Sequence, residues 1–119
     1  MKIAQDKYYR YMVLDDESSK YEEVPKACKI VLPDFEAFEF FAYNSPAKRR
    51  SWVICEATSG TMVYAGWVWE KELPILALDA AEFLRKKLTA HSINIQDIIQ
   101  SQIVKHGLSP RYSSDRNGS

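Results

Sequence analysis

Residues 51–69, SWVICEATSGTMVYAGWVW, hold the strongest structural signal in this chain of 119 residues. Two runs rich in β-branched and aromatic side chains lie on either side of Thr58, Ser59 and Gly60. Glycine readily adopts the positive φ that tight turns between antiparallel strands require. The stretch therefore predicts a β-hairpin with Gly60 in its turn, and the other elements are placed around it.

Two further strands are predicted on the N-terminal side of this hairpin. Residues 8–14, YYRYMVL, are rich in aromatic and β-branched side chains, and the polar residues 15–20, DDESSK, follow as a loop. Residues 29–32, KIVL, favour a second short strand.

The aromatic stretch at residues 33–43 fits either a helix or a strand. Asp34 can cap a helix with Phe35, Phe38 and Phe41 on one face. The same density of aromatic side chains also suits a strand. We prefer the helix because of the spacing of the phenylalanines.

Two helices are predicted to close the chain. The first follows Pro74, since proline is tolerated in a first helical turn. Its apolar residues recur at helical spacing, at Ala80, Ala81, Leu84 and Leu88.

The second helix has a marked start and a marked end. Asn94 occupies the N-cap position, and Asp97 follows three residues later. Gly107 supplies a positive φ after the last turn, and Pro110 blocks any continuation. The residues that follow the i, i+3, i+4 pattern are Ile95, Ile98, Ile99, Ile103 and His106.

These elements predict one α+β domain over residues 1–112, with N-terminal antiparallel strands, a central hairpin and two C-terminal helices. The length and the 46% of hydrophobic residues are typical of one globular domain. Residues 113–119, SSDRNGS, are predicted to be a disordered tail.

Charge and hydropathy restrict the partners. Sixteen basic and sixteen acidic residues cancel at pH 7, so no global field draws the protein to DNA or to anionic lipid. The apolar runs fall short of the roughly 20 residues that span a bilayer, and residues 1–10 lack the apolar stretch of a signal peptide. We expect a cytoplasmic protein without a membrane partner. Cys28 and Cys55 lie in apolar segments and are expected to be reduced core residues.

The sequence offers little for catalysis or for a metal. His91 and His106 are far apart, and neither lies near a cysteine at a zinc-type spacing. Ser59 lacks the two flanking glycines of a nucleophile elbow. Adjacent carboxylates such as Glu22 and Glu23 stand in polar segments, where solvated side chains are the usual outcome. We therefore expect a protein that is not an enzyme and that has no metal site and no cofactor.

Nucleic acid is one alternative partner. Residues 48–50, KRR, stand beside Trp52, and the hairpin adds Trp67 and Trp69. Basic groups beside stacking surfaces bind single strands. The order of hairpin and helix also resembles double-stranded RNA-binding and HicB-like domains, but the lysine-rich start of their helix is missing. A solvated turn with buried tryptophans explains the same residues and is preferred.

A small anionic ligand is the other alternative, and three residues of the C-terminal half are its candidates. Phe83 lies about 100–140° around its helix from Leu84 and Leu88 and so flanks the core face, where it can stack on a base. Asn94 marks a helix N-terminus, which favours phosphate. Arg111 can supply a bidentate fork to a phosphate. Each residue taken alone also has an ordinary structural explanation.

The strand-rich first half, the two closing helices and the order Phe83, Asn94, Arg111 together resemble the Thoeris anti-defence family of phage proteins. The resemblance implies a sponge that sequesters the cyclic ADP-ribose signal of bacterial TIR-domain enzymes, or a cyclic nucleotide, in pockets between the subunits of a homo-oligomer. It implies that Phe83 stacks on adenine, that Asn94 donates or accepts a hydrogen bond and that Arg111 pairs with a phosphate. Arg49 or Arg50 would be the strand-half arginine of the same pocket.

Overall fold

A computed structural model of the chain describes residues 7–13, 19–44, 51–66 and 72–112. Strands come first and helices last, so the predicted α+β class is confirmed. The predicted tail at residues 113–119 lies outside the described residues. The elements are β1 (Tyr8–Val13), β2 (Ser19–Val24), β3 (Cys28–Ile30), β4 (Phe40–Asn44), β5 (Trp52–Glu56), β6 (Met62–Gly66), α1 (Leu73–Ala90) and α2 (Ile95–His106).

The six strands form two antiparallel sheets. β1 and β2 pair into a two-stranded ribbon, in which Arg10 lies opposite Glu22. β3, β4, β5 and β6 form a four-stranded sheet in the order of the sequence. The predicted hairpin joins β5 to β6, and Gly60 has a φ of +67° in its turn. This prediction is confirmed.

The four-stranded sheet is covered on both faces. One face packs against the helices through a core of Ile30, Leu32, Phe35, Phe40, Ala42, Ile54, Leu76, Ala77, Ala80, Ala81, Leu84, Ile95 and Ile99. The other face packs against the ribbon through Tyr8, Val24, Phe41, Tyr43, Val53, Cys55 and Ala57. Successive side chains of a strand point to opposite faces, so Phe40 and Phe41 of β4 enter different cores.

The preferred helix at residues 33–43 is wrong, because Phe40–Asn44 is strand β4 and the residues before it form turns. Asp34 has a φ of +73° and is not a helix cap. Its carboxylate instead pairs with Arg85 of α1, at 2.9 Å between Oδ2 and Nη1. A strand that is buried on both faces loses the polar and apolar alternation that marks a half-exposed strand. That loss explains the error.

Two smaller expectations also differ from the structure. Strand β2 was not predicted, because Ser19–Val24 has few apolar residues and its partner is needed to define it. Cys28 is exposed at the edge strand β3, whereas Cys55 is buried. Only Cys55 is therefore the core thiol that the sequence predicted, and burial raises its pKa to about 12.

Both helices are confirmed. α1 has Pro74 in its first turn and buries Ala80, Ala81 and Leu84 against the sheet. α2 begins at the predicted cap, where the Asn94 side chain accepts a hydrogen bond of 2.8 Å from the backbone N–H of Asp97. It ends at Gly107, which has a φ of +87°.

Candidate functional site

Phe83 lies on the outward side of α1 and is 48% exposed. Its ring meets the Tyr64 ring of β6 edge to face, with the centroids 5.4 Å apart. Together with charged side chains of α1, the two rings line an open recess of about 250 Å³. That recess contains neither Asn94 nor Arg111, so the predicted stacking residue stands in a surface depression of its own.

Asn94 is exposed and performs its capping role. Its side chain accepts from the Asp97 backbone and donates to Asp97 Oδ2 at 2.9 Å. The amide is thus occupied within the first turn of α2. A hydrogen bond from Asn94 to a ligand stays a prediction, and it would require one of these contacts to be exchanged.

Arg111 belongs to a polar cluster that fastens the C-terminal segment to the rest of the fold. We call Tyr8, Glu39, Arg111 and Tyr112 the C-terminal clamp. Arg111 Nη2 lies 2.8 Å from Glu39 Oε2, and the hydroxyls of Tyr8 and Tyr112 both donate to the same carboxylate. The guanidinium also covers the Tyr8 ring at 4.1 Å from its centroid and donates to the carbonyl oxygen of Lys7.

The clamp is mostly removed from solvent, since the side chains of Arg111 and Glu39 are only 11% and 22% exposed. Burial by itself would raise the pKa of Glu39, but hydrogen bonds from Tyr112, Tyr8 and Arg111 and the charge of Arg111 outweigh it, so this pKa lies below its ordinary value. Burial and the bond to Glu39 raise the pKa of Tyr8 to about 12. The carboxylate therefore stays ionised and the tyrosine stays protonated at neutral pH.

The lowered pKa of Glu39 predicts an acid-sensitive contribution to stability. A carboxylate whose pKa is lower in the folded than in the unfolded state stabilises the fold above about pH 4.3, and this contribution disappears as the pH falls through the folded pKa. We expect the free energy of unfolding, from urea titrations at several pH values, to fall on acidification less steeply in Glu39→Gln than in the wild type. Glu36→Gln, a change at an exposed glutamate three residues earlier, is the control. An unchanged acid slope in Glu39→Gln would contradict the assignment.

A second buried carboxylate organises the hairpin turn. Glu56 is almost fully buried and accepts hydrogen bonds from the backbone N–H and the hydroxyl of both Thr58 and Ser59, at 2.6–2.8 Å. Ser59 is itself buried, and its hydroxyl is used in this network. The side chain is thus a structural group of the turn and is not exposed as a nucleophile.

The end of α2 packs on the same turn. His106 Nε2 lies 3.0 Å from the Ser59 carbonyl oxygen, and its ring stacks on the ring of Tyr11. The Tyr21 hydroxyl donates to the carbonyl of Gly107 at 2.6 Å. These contacts join α2, the hairpin turn and the ribbon, so His106 has a packing role.

A cleft of about 360 Å³ lies between the ribbon and the sheet. Its volume falls in the range of small-molecule sites, which is about 300–1,000 Å³. It combines two basic residues with aromatic rings and carboxylates. The lining residues are Arg10, Glu22, Glu23, Val24, Pro25, Lys26, Tyr43, Asn44 and Trp52.

The charges of the cleft are unevenly paired. Arg10 Nη2 and Nε lie 2.6 and 2.8 Å from Glu22 Oε1, and Glu23 pairs with Lys7 at 3.5 Å. Among the residues described, Lys26 has no ion pair. It stands in a turn with a φ of +59°. The cleft therefore presents one uncompensated positive charge to a ligand.

Trp52 also lines the cleft, but its side chain packs against the helix-side core. Its indole Nε1 is buried and finds no acceptor within the described part of the chain. Arg49 and Arg50, the other predicted site residues, lie outside the described residues, as do Lys48, Trp67 and Trp69. Asn44 and Trp52, which both line the cleft, are the residues on either side of the segment that carries the two arginines.

The cleft was not predicted from the sequence. Arg10 lies in a predicted strand, whereas Glu22 lies in a stretch without a recognisable motif. The two residues meet because β1 and β2 pair. One sequence signal for the cleft was available: in the predicted strand YYRYMV, side chains alternate between two faces, so Arg10 lies on the same face as Tyr8. Within residues 7–13, 19–44, 51–66 and 72–112, no cluster of three metal-ligating side chains occurs and no helix is long and apolar enough to cross a bilayer.

Comparison of the chain with protein families, with curated proteins and with solved structures found no match.

Proposed function

We propose that this protein is a non-catalytic capture protein for a small nucleotide-derived anion, of the cyclic ADP-ribose or cyclic nucleotide class. One observation supports the proposal above the others. The 360 Å³ cleft places Arg10 and Lys26 beside the ring of Tyr43. Cations bind phosphate, and aromatic rings bind the faces of bases.

The charge balance of the cleft favours an anion over a neutral ligand. Glu22 and Glu23 are each paired with a basic side chain, whereas Lys26 is not paired within the described residues. A phosphate near Lys26 therefore gains attraction without first displacing a carboxylate. This supports a ligand with at least one phosphate group.

The resemblance to the Thoeris anti-defence family suggests a biological role for this capture. In that role the protein is a homo-oligomeric sponge in the cytoplasm, which is the host cytoplasm if a phage encodes the protein. Phe83, Asn94 and Arg111 would then join a pocket that a second copy completes. The exposed apolar side chains of α1, Ile75, Leu78 and Phe83, are candidates for that contact.

Isothermal titration calorimetry against cyclic ADP-ribose isomers and cyclic di- and trinucleotides tests the proposal. We expect at least one member of the panel to bind and to be recovered unchanged by chromatography. Lys26→Ala is expected to weaken binding about tenfold or more, since it removes the unpaired cation of the cleft. Lys29→Ala, an exposed lysine of β3 outside the cleft, is the matched control.

The proposal is abandoned if no member of the panel binds. If a ligand binds equally well to the wild type and to Lys26→Ala, the ligand does not bind in the cleft beside Lys26. If chromatography shows that the protein converts the ligand to a product, the protein is an enzyme and the capture proposal is wrong.

A nucleic-acid- or protein-binding accessory domain of a mobile element is the second candidate. The observation in its favour is that Asn44 and Trp52 line the cleft, and in the sequence the residues between these two, 45–51, include Lys48, Arg49 and Arg50. Binding of single-stranded oligonucleotides that weakens steeply with salt would support it, because phosphate neutralisation releases counterions. Binding of a small cyclic nucleotide with a shallow salt dependence favours capture.

A further inference from the structure

The ion pair between Arg10 and Glu22 in the cleft leads to an inference about how a ligand is held. We infer that an anionic group of the ligand replaces the Glu22 carboxylate on Arg10. The inference rests on the proposed function, because it assigns contacts within the same site. It identifies the ligand class as a phosphate-bearing nucleotide.

Arg10 is already oriented for such an exchange. Nη1 donates to the Tyr43 hydroxyl at 3.2 Å, while Nη2 and Nε both point to a single oxygen of Glu22. The guanidinium carbon lies 5.8 Å from the centroid of the Tyr43 ring. When Glu22 leaves, the hydrogen bond to Tyr43 still holds the guanidinium. Nε and Nη2 of Arg10 are then free to donate two parallel hydrogen bonds to a phosphate.

Glu22 is able to leave at a modest cost. Arg10 and Glu22 are 30% and 43% exposed, and ion pairs at this level of exposure are weak. The displaced carboxylate can be hydrated at once. In the free protein Glu22 therefore neutralises Arg10, and it competes with any anion that enters the cleft.

The central experiment measures the affinity of Glu22→Gln for the probes inorganic pyrophosphate and cyclic ADP-ribose by calorimetry. Glutamine keeps the shape of glutamate but leaves Arg10 without its anionic competitor. We expect the probe that binds the wild type to bind Glu22→Gln about two- to fivefold more tightly. Glu23→Gln is the matched control, because this neighbour also lines the cleft but pairs with Lys7 rather than with Arg10. Its effect is expected to be smaller.

The outcomes separate the inference from the function it rests on. If the wild type binds a probe, Lys26→Ala weakens it, and Glu22→Gln binds equally or less tightly, the exchange on Arg10 is overturned while capture stands. If neither the wild type nor Glu22→Gln binds either probe or any nucleotide of the panel, both are overturned.

Discussion

Gly60→Ala is expected to destabilise the protein by about 2–5 kcal/mol, which is a large part of the stability of a typical domain. Two effects add. Gly60 has a φ of +67°, where an L-residue with a Cβ is strained by about 1–2 kcal/mol. A Cβ at this position would also lie 2.7 Å from the backbone nitrogen of Tyr11 and 2.9 Å from the Tyr21 ring.

The overlap cannot be relieved locally. The nitrogen of Tyr11 belongs to β1 and donates to the Gly60 carbonyl at 3.1 Å, so β1 must move away from the hairpin turn to admit a methyl group. Forcing extra atoms into packed structure costs about 1–3 kcal/mol. Urea titration monitored by circular dichroism measures the total.

Gly107→Ala provides the comparison, because it shares the positive φ but not the crowding. Gly107 has a φ of +87°, and no atom lies within 4 Å of a Cβ built there. This variant therefore reports backbone strain alone, about 1–3 kcal/mol. A loss of only about 1–2 kcal/mol in Gly60→Ala, which is the strain alone, would show that the overlap with β1 contributes nothing.

Arg111→Ala is expected to lower the free energy of unfolding by about 2–4 kcal/mol. The change leaves the Glu39 carboxylate in a mostly buried position with only the Tyr8 and Tyr112 hydroxyls as donors. It also removes the guanidinium from the face of the Tyr8 ring. Because the two side chains of the pair keep some exposure, the loss falls short of that for a fully buried pair.

Arg85→Ala is the control for this prediction. Arg85 and Asp34 are joined by an ion pair of 2.9 Å, but their side chains are 45% and 69% exposed. Exposed pairs contribute less than about 1 kcal/mol. Similar losses in Arg85→Ala and Arg111→Ala would contradict the role given to burial in the C-terminal clamp.

Arg111→Ala also tests the predicted contact between Arg111 and a phosphate. Binding is to be measured at a temperature at which circular dichroism shows Arg111→Ala to be folded. Wild-type affinity in the folded variant would contradict the phosphate contact. A reduced affinity in folded Arg111→Lys, which keeps the charge but loses the fork, would support it.

Local signals predicted the parts of the fold whose causes are local. Gly60 in the turn, Asn94 at the start of α2 and Gly107 at its end are governed by φ values and caps that depend on a few neighbours. β4 was missed because its two faces enter two different cores. That property belongs to the assembled sheet and leaves no periodic pattern in the sequence.

The candidate site was less predictable for the same reason. Phe83 is found exposed and Asn94 is found at a helix cap, as the sequence suggested. The clamp could not be predicted, since Arg111 and Glu39 are 72 residues apart and neither stands in a motif. The pairing of Arg10 with Glu22 depends on strand β2, which the sequence did not reveal.

The long-range attachment of β1 also bears on how the protein is made. A ribosome synthesises β1 before the groups that hold it, namely Glu39, Gly60, His106 and Arg111. The last of these follows Tyr8 by 103 residues. The sheet and α1 can assemble during translation, whereas the first strand gains its full set of contacts only after residue 112 has left the exit tunnel. Docking of the ribbon is therefore a late step of folding, and it is slow because its contacts are non-local.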